Sequence, residues 1–426
     1  MFELPEKTGV VEGWVSNVKS VGKITFIEVI DDLSISPVTV VVKKDNVDPE
    51  AWSISSSLKI GSAVRIKGVI PEVVVSRKGR ELQATRIVVL SEPLELPPID
   101  LTGKTPANFD LYLDHRYLAL RLPRFRAIFI TRAKLVGFAR EFFSEKGFLE
   151  VHTPKLVGAG AEGGATLFTL DYFGQRAYLS QSPQLYKQML MCGVPRVFEI
   201  TPYFRAEKFS TPRHLNESWG LDVEMGFIES EEDVMRILED FIRGSIRRLK
   251  SEAGDLLKTA GLALMDEPST IPRITYTEAV EILNKLGYNV RWGDDLDTQT
   301  EKSLGEHLAG QGYPIYFITK YPWDAKPFYI MREGEEASRS FDLDINGIEI
   351  ASGGQREHRY HELLQNLRAK GLSEEEFTFY TTAFKFGMPP HGGFGLGLDR
   401  LLMTLLGLSN IREVVLFPRD RFRLVP

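Results

Sequence analysis

The sequence predicts an α+β protein: a small all-β barrel first, then a mainly antiparallel sheet flanked by helices. Three observations predict it. Residues 9–92 hold five short β-rich runs separated by turn residues. Helical periodicity begins only after a stretch rich in proline and glycine, residues 91–108. The strand-like segments that follow come as hairpins between helices, the pattern of an antiparallel sheet with helices packed on it.

Composition sets the bounds. The chain has 426 residues, 43% hydrophobic and 26% charged, enough for two or three domains and a large core. A net charge of −6 excludes a generally basic surface, so any RNA contact has to be local. The single cysteine, Cys192, excludes an intrachain disulfide and a cysteine-based zinc site. Glu357-His358-Arg359-Tyr360-His361 lacks zincin spacing. There is no apolar leader and no apolar run of membrane length, so a cytoplasmic protein with no membrane partner is expected.

The β-rich runs are Val10–Val15, Ile24–Ile30, Val38–Val42, Ala63–Ile70 and Ile87–Leu90. At this size the oligonucleotide-binding (OB) barrel is the expected fold, with a purely structural barrel as its plain alternative. The domains then read as a barrel over 1–100, a linker or hinge over 101–120 and a second domain over 121–426. Ile128 to Phe143 repeats as a helix closed by Gly147, and Ser230-Glu231-Glu232-Asp233 is a capping-box signature opening another.

Two hairpins and a glycine run carry the chemistry. Val197–Glu207 alternates as a strand, 208–216 is a polar loop, and Ser218–Phe227 alternates back. Arg205 and Glu207 fall near the tip and Arg213 and His214 in the loop, a grouping suited to clamping an anion. Phe341–Ile350 is a tight hairpin turning at Asn346-Gly347. Its register pairs Asp344 with Glu349 and puts Asp342, Asp344 and Glu349 on one face. Carboxylates so placed repel unless a hard cation such as Mg2+ joins them, or unless they face water. In Gly393-Phe394-Gly395-Leu396-Gly397-Leu398-Asp399-Arg400, glycine at every second position fits a strand with one bare face, and Arg400 follows where a buried helix starts. That alternation does not fit a dinucleotide fingerprint, which opens a helix after a parallel strand.

Together with Phe148-Leu149-Glu150-Val151-His152-Thr153-Pro154, the Phe204-Arg205-Ala206-Glu207 hairpin and the glycine run resemble the three motifs of class II aminoacyl-tRNA synthetases. They come in the family's order and span about residues 120–426. The N-terminal barrel resembles that of the branch handling aspartate, asparagine and lysine. Gln181–Gln188 and Ser352–Glu357 resemble its archaeal aspartate-specific members.

The resemblance implies an enzyme that activates L-aspartate with ATP to aspartyl-adenylate and transfers it to the 3′ end of tRNA, as a homodimer using Mg2+. It implies that Arg205, Glu207 and Arg400 are catalytic. ATP would be held by Arg205, Ala206, Glu207, Arg213, His214, Leu215, Glu349, Gly397, Leu398, Asp399 and Arg400. Aspartate would meet Glu162, Gln184, Leu185, Tyr186, Lys187, Arg205, Ser352 and Arg356, with Lys187 and Arg356 selecting its side chain. Glu349 and Ser352, with Asp342 nearby, resemble the magnesium ligands. Strict alternation separates Glu349 from Ser352, so a bulge is expected before Gly353. Phe26, Ser16 and Arg77 are the anticodon candidates.

Some positions depart from the family pattern. Ser218 stands where relatives carry the aromatic that sandwiches adenine, which leaves Trp219 or His214 for that role. Ser16 and Val29-Ile30-Asp31 also differ, leaving open whether tRNA(Asn) is charged besides tRNA(Asp). An asparagine-specific ligase and a non-catalytic RNA-binding paralogue are the rival readings.

Overall fold

The structure is a computed structural model that describes residues 8–32, 34–76, 78–158, 160 and 167–426. One compact unit holds the chain up to Arg132 with Ala253–Ala263 and Pro426, and the other holds Ala133–Glu252 and Leu264–Val425.

In the first unit, β1 (Thr8–Val21), β2 (Ile24–Ile30), β3 (Val38–Lys43), β4 (Ala63–Val69) and β5 (Glu81–Ser91) close into a barrel in the order β1-β2-β3-β5-β4. Alternation drives Val15, Ile27, Val29, Val40, Val42, Val64 and Ile66 into its core. Two features differ from expectation. Helix α1 (Pro49–Ser57) crosses between β3 and β4, with Asp48 accepting from the Ala51 amide at 2.6 Å and proline at its first position. β5 starts at Glu81 rather than Ile87, because Leu82 and Ala84 also point inward.

Residues 101–120, expected as a linker, are folded. They carry α2 (Phe109–Asp114) and α3 (Arg116–Ala119) and pack Leu101 and Ala119 against Ile99, Leu122 and Phe125. Helix α4 (Pro123–Glu145) follows and, as expected, ends before Gly147, which takes a φ of +78°.

The second unit runs through β6 (Leu149–Glu150), β7 (Leu156–Val157), β8 (Thr169–Tyr172), β9 (Gln175–Leu179), α5 (Gln184–Leu190), β10 (Arg196–Phe204), β11 (Glu217–Gly226) and α6 (Glu231–Thr259). It continues with β12 (Arg273–Thr275), α7 (Tyr276–Lys285), α8 (Thr298–Gly310), β13 (Ile315–Thr319), β14 (Arg332–Glu333) and β15 (Ala337–Ser338). It ends with β16 (Ser340–Ile345), β17 (Ile348–Gln355), α9 (Tyr360–Ala369), α10 (Thr378–Thr381), β18 (His391–Gly397) and α11 (Leu398–Leu405).

Among the described residues, eight strands form the main sheet in the order β12-β13-β16-β17-β18-β11-β10-β6. Only the β6–β10 and β12–β13 pairs are parallel. One face is apolar: Phe143 of α4 and Phe241 of α6 meet Phe198 and Phe394 of the sheet, with Phe143 ring centroids 5.3–6.5 Å from the other three. The start of α6 carries its expected cap, the Asp233 carboxylate accepting from the amides of Glu229 and Ser230. Leu221 and Val223 of β11 and Leu396 of β18 also point into this core, so the opposite face, with Asp222, Glu224, Gly393 and Gly395, is left for the site.

Candidate active site

The β10–β11 hairpin forms as expected, with Ile200 opposite Leu221 and Phe204 opposite Glu217. The strand stops at Phe204, however, so Arg205 and Glu207 sit at the start of the loop. Asn216 closes that loop: its Nδ2 donates to the carbonyls of Arg205 at 2.7 Å and Glu207 at 3.2 Å. A segment far along the chain straps the loop from outside. Arg412 donates through Nη1 to the Thr211 carbonyl and through Nη2 to Ser210 Oγ, both at 3.0 Å, and its Nη2 lies 2.6 Å from Asp420. The Asn216 amide donates to the Arg419 carbonyl at 2.8 Å. A loop so tied is ordered before any ligand arrives.

The loop faces a cavity of about 320 Å³. Arg205, Glu207, Arg213, His214 and Leu215 line it from the hairpin, and Glu349, Ser352, Gly397, Asp399 and Arg400 from the central strands and α11. Gln184 and Arg356 line it too, as do Ser218 and Trp219. Burial and then Arg400, Arg205 and Arg213 push the His214 imidazole down to about 4, so it is neutral at pH 7 among the guanidinium groups. Arg400 is held by a hydrogen bond from Nη1 to the Glu349 carbonyl at 3.1 Å. Asp399 accepts from the Trp219 amide at 2.7 Å, which ties α11 to β11.

The alternating glycines have two purposes. A Cβ on Gly395 would come no nearer than 3.6 Å to Asp222, and one on Gly397 would meet only the Arg400 stem, so these two leave the cavity floor bare. A Cβ on Gly393 would sit 2.0 Å from the Val223 carbonyl and 2.2 Å from Glu224. That glycine makes room for a buried ionic cluster.

In the cluster, Lys187 Nζ lies 2.8 Å from Asp222 and 3.2 Å from Glu224, and donates to the Val223 and Phe394 carbonyls. Arg356 meets Glu224 through Nε at 3.0 Å and Nη2 at 3.3 Å. Burial pushes the Glu224 carboxyl up, but Arg356 and Lys187 hold it below its usual range. Sequence reasoning placed Lys187 against the substrate, whereas here it does not line the cavity and its charge is already matched by two carboxylates. Asp222 does line the cavity and accepts from the Tyr203 hydroxyl. Leu185 and Tyr186 lie beside a smaller pocket with Ser180 and Ser182, while Ala206 and Leu398 line neither. Glu162 lies outside the described residues.

The β16–β17 hairpin turns at Asn346-Gly347 with Ile345 opposite Ile348 and Asp344 opposite Glu349, as expected. Leu343 then pairs with Ala351, so Ile350 is the extra residue of a bulge that returns Ser352 to the face of Glu349. Asp342 departs from expectation: it does not line the cavity, and Lys326 holds it at 2.8 Å. Burial, then Asp342, raises the Glu349 carboxyl above its ordinary range, opposed by Arg400. Among the described residues no three Asp, Glu, His or Cys side chains converge as a metal site. Sequence reasoning missed Glu301 of α8, whose carboxyl lies 3.8 Å from Arg213 and is raised to about 7 by burial and by Glu349. No local pattern marks it, because α8 reaches the site only through a close approach of Gly305 to Gly347.

On the barrel, Phe26 is 37% exposed and opposite Lys19. Ser16 sits at a β1 bulge, buried, its hydroxyl donating to the Glu28 carbonyl at 3.2 Å, so it offers no outward contact surface. Arg77 lies outside the described residues.

Comparison with known proteins agrees with this architecture. Residues 108–421 match the family described as tRNA synthetases class II (D, K and N), and residues 10–90 match the OB-fold nucleic acid binding domain. The chain is 47% identical to the aspartate–tRNA(Asp) ligase of Pyrococcus horikoshii, covering 100% of this chain and 97% of the relative. It is 45% identical to the aspartate–tRNA(Asp/Asn) ligase of Methanopyrus kandleri, over 99% of this chain and 97% of the relative. Among solved structures, asparaginyl-tRNA synthetase from Pyrococcus horikoshii complexed with asparaginyl-adenylate superposes with a TM-score of 0.90 at 33% identity, covering 99% of this chain and 96% of the other. With both family matches and full-length relatives in agreement, the chain belongs to the class II tRNA synthetases of the aspartate, lysine and asparagine group.

Proposed function

We propose that the protein is an aspartate–tRNA ligase: it joins L-aspartate to ATP, releasing pyrophosphate, and passes the aspartyl group from the adenylate to the terminal adenosine of tRNA. The observation that carries this reading is the convergence of Arg205, Arg213 and Arg400 around one cavity that Arg356 also lines.

In the first step the aspartate α-carboxylate attacks the α-phosphorus in line, and the bond to the pyrophosphate oxygen breaks. Arg205 spans the α-carboxylate and the α-phosphate and stabilises charge gathering on the phosphoryl oxygens. Arg213 and Arg400 take the outer phosphates, and Glu207 faces the adenine and the tRNA end. Glu349 and Ser352, one carboxylate and one hydroxyl on the same face, fit Mg2+, which keeps much of its shell as water and phosphate oxygen. A Mg2+ held there would supply positive charge to offset the triphosphate.

Charge balance favours aspartate. The substrate ammonium, Lys187, Arg356 and Arg205 supply four positive charges; the two substrate carboxylates, Asp222 and Glu224 supply four negative. Asp222 and Gln184 take the ammonium, which loosens Asp222 from Lys187 and turns Lys187 toward the side-chain carboxylate. Asparagine would leave one buried positive charge unmatched, a costly arrangement.

Phe26 stacks on an anticodon base. The segment ending at Pro154 builds a symmetric homodimer, which sedimentation at micromolar concentration tests. Among the described residues no helix is long and apolar enough to cross a membrane, in keeping with work in the cytoplasm. The decisive test is charging of purified aspartate and asparagine tRNA transcripts with labelled aspartate or asparagine. Aspartyl transfer to the aspartate transcript is expected, and the second transcript reads the breadth of tRNA choice. Transfer of asparagine alone overturns the proposal.

A further inference from the structure

His391, at the start of β18, is fully buried and plays no part in the chemistry above. It ends a chain of hydrogen bonds from the cavity wall: Arg356 Nη2 to Gln184 Oε1 at 3.3 Å, Gln184 Nε2 to Gln188 Oε1 at 2.9 Å, Gln188 Nε2 to His391 Nε2 at 3.0 Å, and His391 Nδ1 to the Pro389 carbonyl at 2.8 Å.

The chain has one permitted polarity. A carbonyl oxygen only accepts, so Nδ1 carries the imidazole hydrogen and Nε2 presents a lone pair. Gln188 therefore turns its amide nitrogen to His391 and its oxygen to Gln184. Gln184 in turn gives its nitrogen to Gln188 and keeps its oxygen toward Arg356 and the cavity. Reversing either amide sets donor against donor or acceptor against acceptor, a costly mismatch where Gln184, Gln188 and His391 are all at least nine-tenths buried.

We propose that His391 is a positioning residue for amino-acid selection: through Gln188 it fixes the Gln184 amide with its oxygen toward the cavity, where that oxygen accepts from the substrate ammonium. This rests on the reading of the cavity as an aspartate site. A flipped Gln184 would turn its NH2 toward both the Arg356 guanidinium and the incoming ammonium.

The test is aspartate-dependent pyrophosphate exchange in His391→Phe and His391→Gln. Phenylalanine keeps the ring but removes the acceptor, whereas glutamine keeps an acceptor oxygen near the position of Nε2. The expected result for H391F is a KM for aspartate raised about tenfold, the scale of one hydrogen bond to a charged group, with kcat and the KM for ATP within about twofold. H391Q is expected to stay within about threefold of the parent in all three, because the polarity survives. If H391F fails to fold by circular dichroism, Gln188→Met cuts the chain one link nearer the cavity and carries the same expectation. Equal effects of H391F and H391Q, or an unchanged aspartate KM in a folded H391F or Q188M, overturns the proposal. Wild-type protein showing no aspartate-dependent exchange refutes the aspartate site itself, a separate outcome.

Discussion

Replacing Lys187 by methionine tests the buried cluster most directly. The ammonium lies within 2.8 Å of Asp222 and 3.2 Å of Glu224, and the latter is fully buried. Methionine fills similar space but takes from Asp222 the cation it pairs with, while Glu224 keeps Arg356. Orphaning a buried charge costs about 3–5 kcal/mol. With an unfolding entropy of roughly 2.1 cal/mol/K per residue, a chain of 426 residues loses about 3–6 °C in Tm. Adding Asp222→Asn removes the orphaned charge and is expected to recover most of that loss. The affinity for aspartate stays low in the double variant, because the selecting cation is still missing. Thermal unfolding followed by circular dichroism and aspartate-dependent pyrophosphate exchange read the two effects separately. A Lys187→Met protein that melts within a degree of wild type, or one that Asp222→Asn does not help, refutes the assigned electrostatics.

The glycine strand yields a paired prediction. Gly395→Ala should fold normally and raise the KM for ATP by occupying the cavity floor, whereas Gly393→Ala, driven into the Val223 carbonyl and Glu224, should lower Tm or prevent folding. Acid stability follows two imidazoles, the fully buried His391 and the half-buried His214. Burial pushes His391 and His214 from 6.5 down to about 4, so the unfolded chain binds more protons between those values and stability is lost as pH falls through that window. For the fully buried His391 the loss approaches about 3 kcal/mol, and urea midpoints between pH 7 and 4.5 should show a shallower fall in His391→Gln. Mg2+ should raise Tm in wild type more at pH 8 than at pH 6, because the Glu301 carboxyl, raised to about 7 by burial and by Glu349, gives up its proton over that range. Glu349→Gln should abolish that rise.

Local rules made the hairpins readable. Asn346-Gly347 dictates a two-residue turn, the turn dictates the register, and the register puts Glu349 and Ser352 on one face only if a residue is extruded between them, as Ile350 is. The barrel was readable from alternation, although α1 was missed despite Asp48-Pro49, a cap and first-turn pair that announces a helix. What could not be read depends on distant strands. Lys187 is neutralised by residues more than thirty positions away on β11, and Glu301 reaches the site only by packing of two glycines. Alternation extends the strand through Arg205, but it ends at Phe204; Arg205 keeps one backbone bond, its amide donating to the Asn216 carbonyl at 2.9 Å, and the Asn216 side chain holds the rest.

The strap across the Lys208–Asn216 loop imposes an order on biogenesis. Thr211 and the guanidinium that fixes it are separated by 201 positions in the chain. At translation speeds of roughly 5–20 residues per second, the loop emerges about 10–40 s before its anchor. Through that interval the growing polypeptide lacks the strap, so the loop bordering the cavity is not fixed until synthesis has passed Asp420.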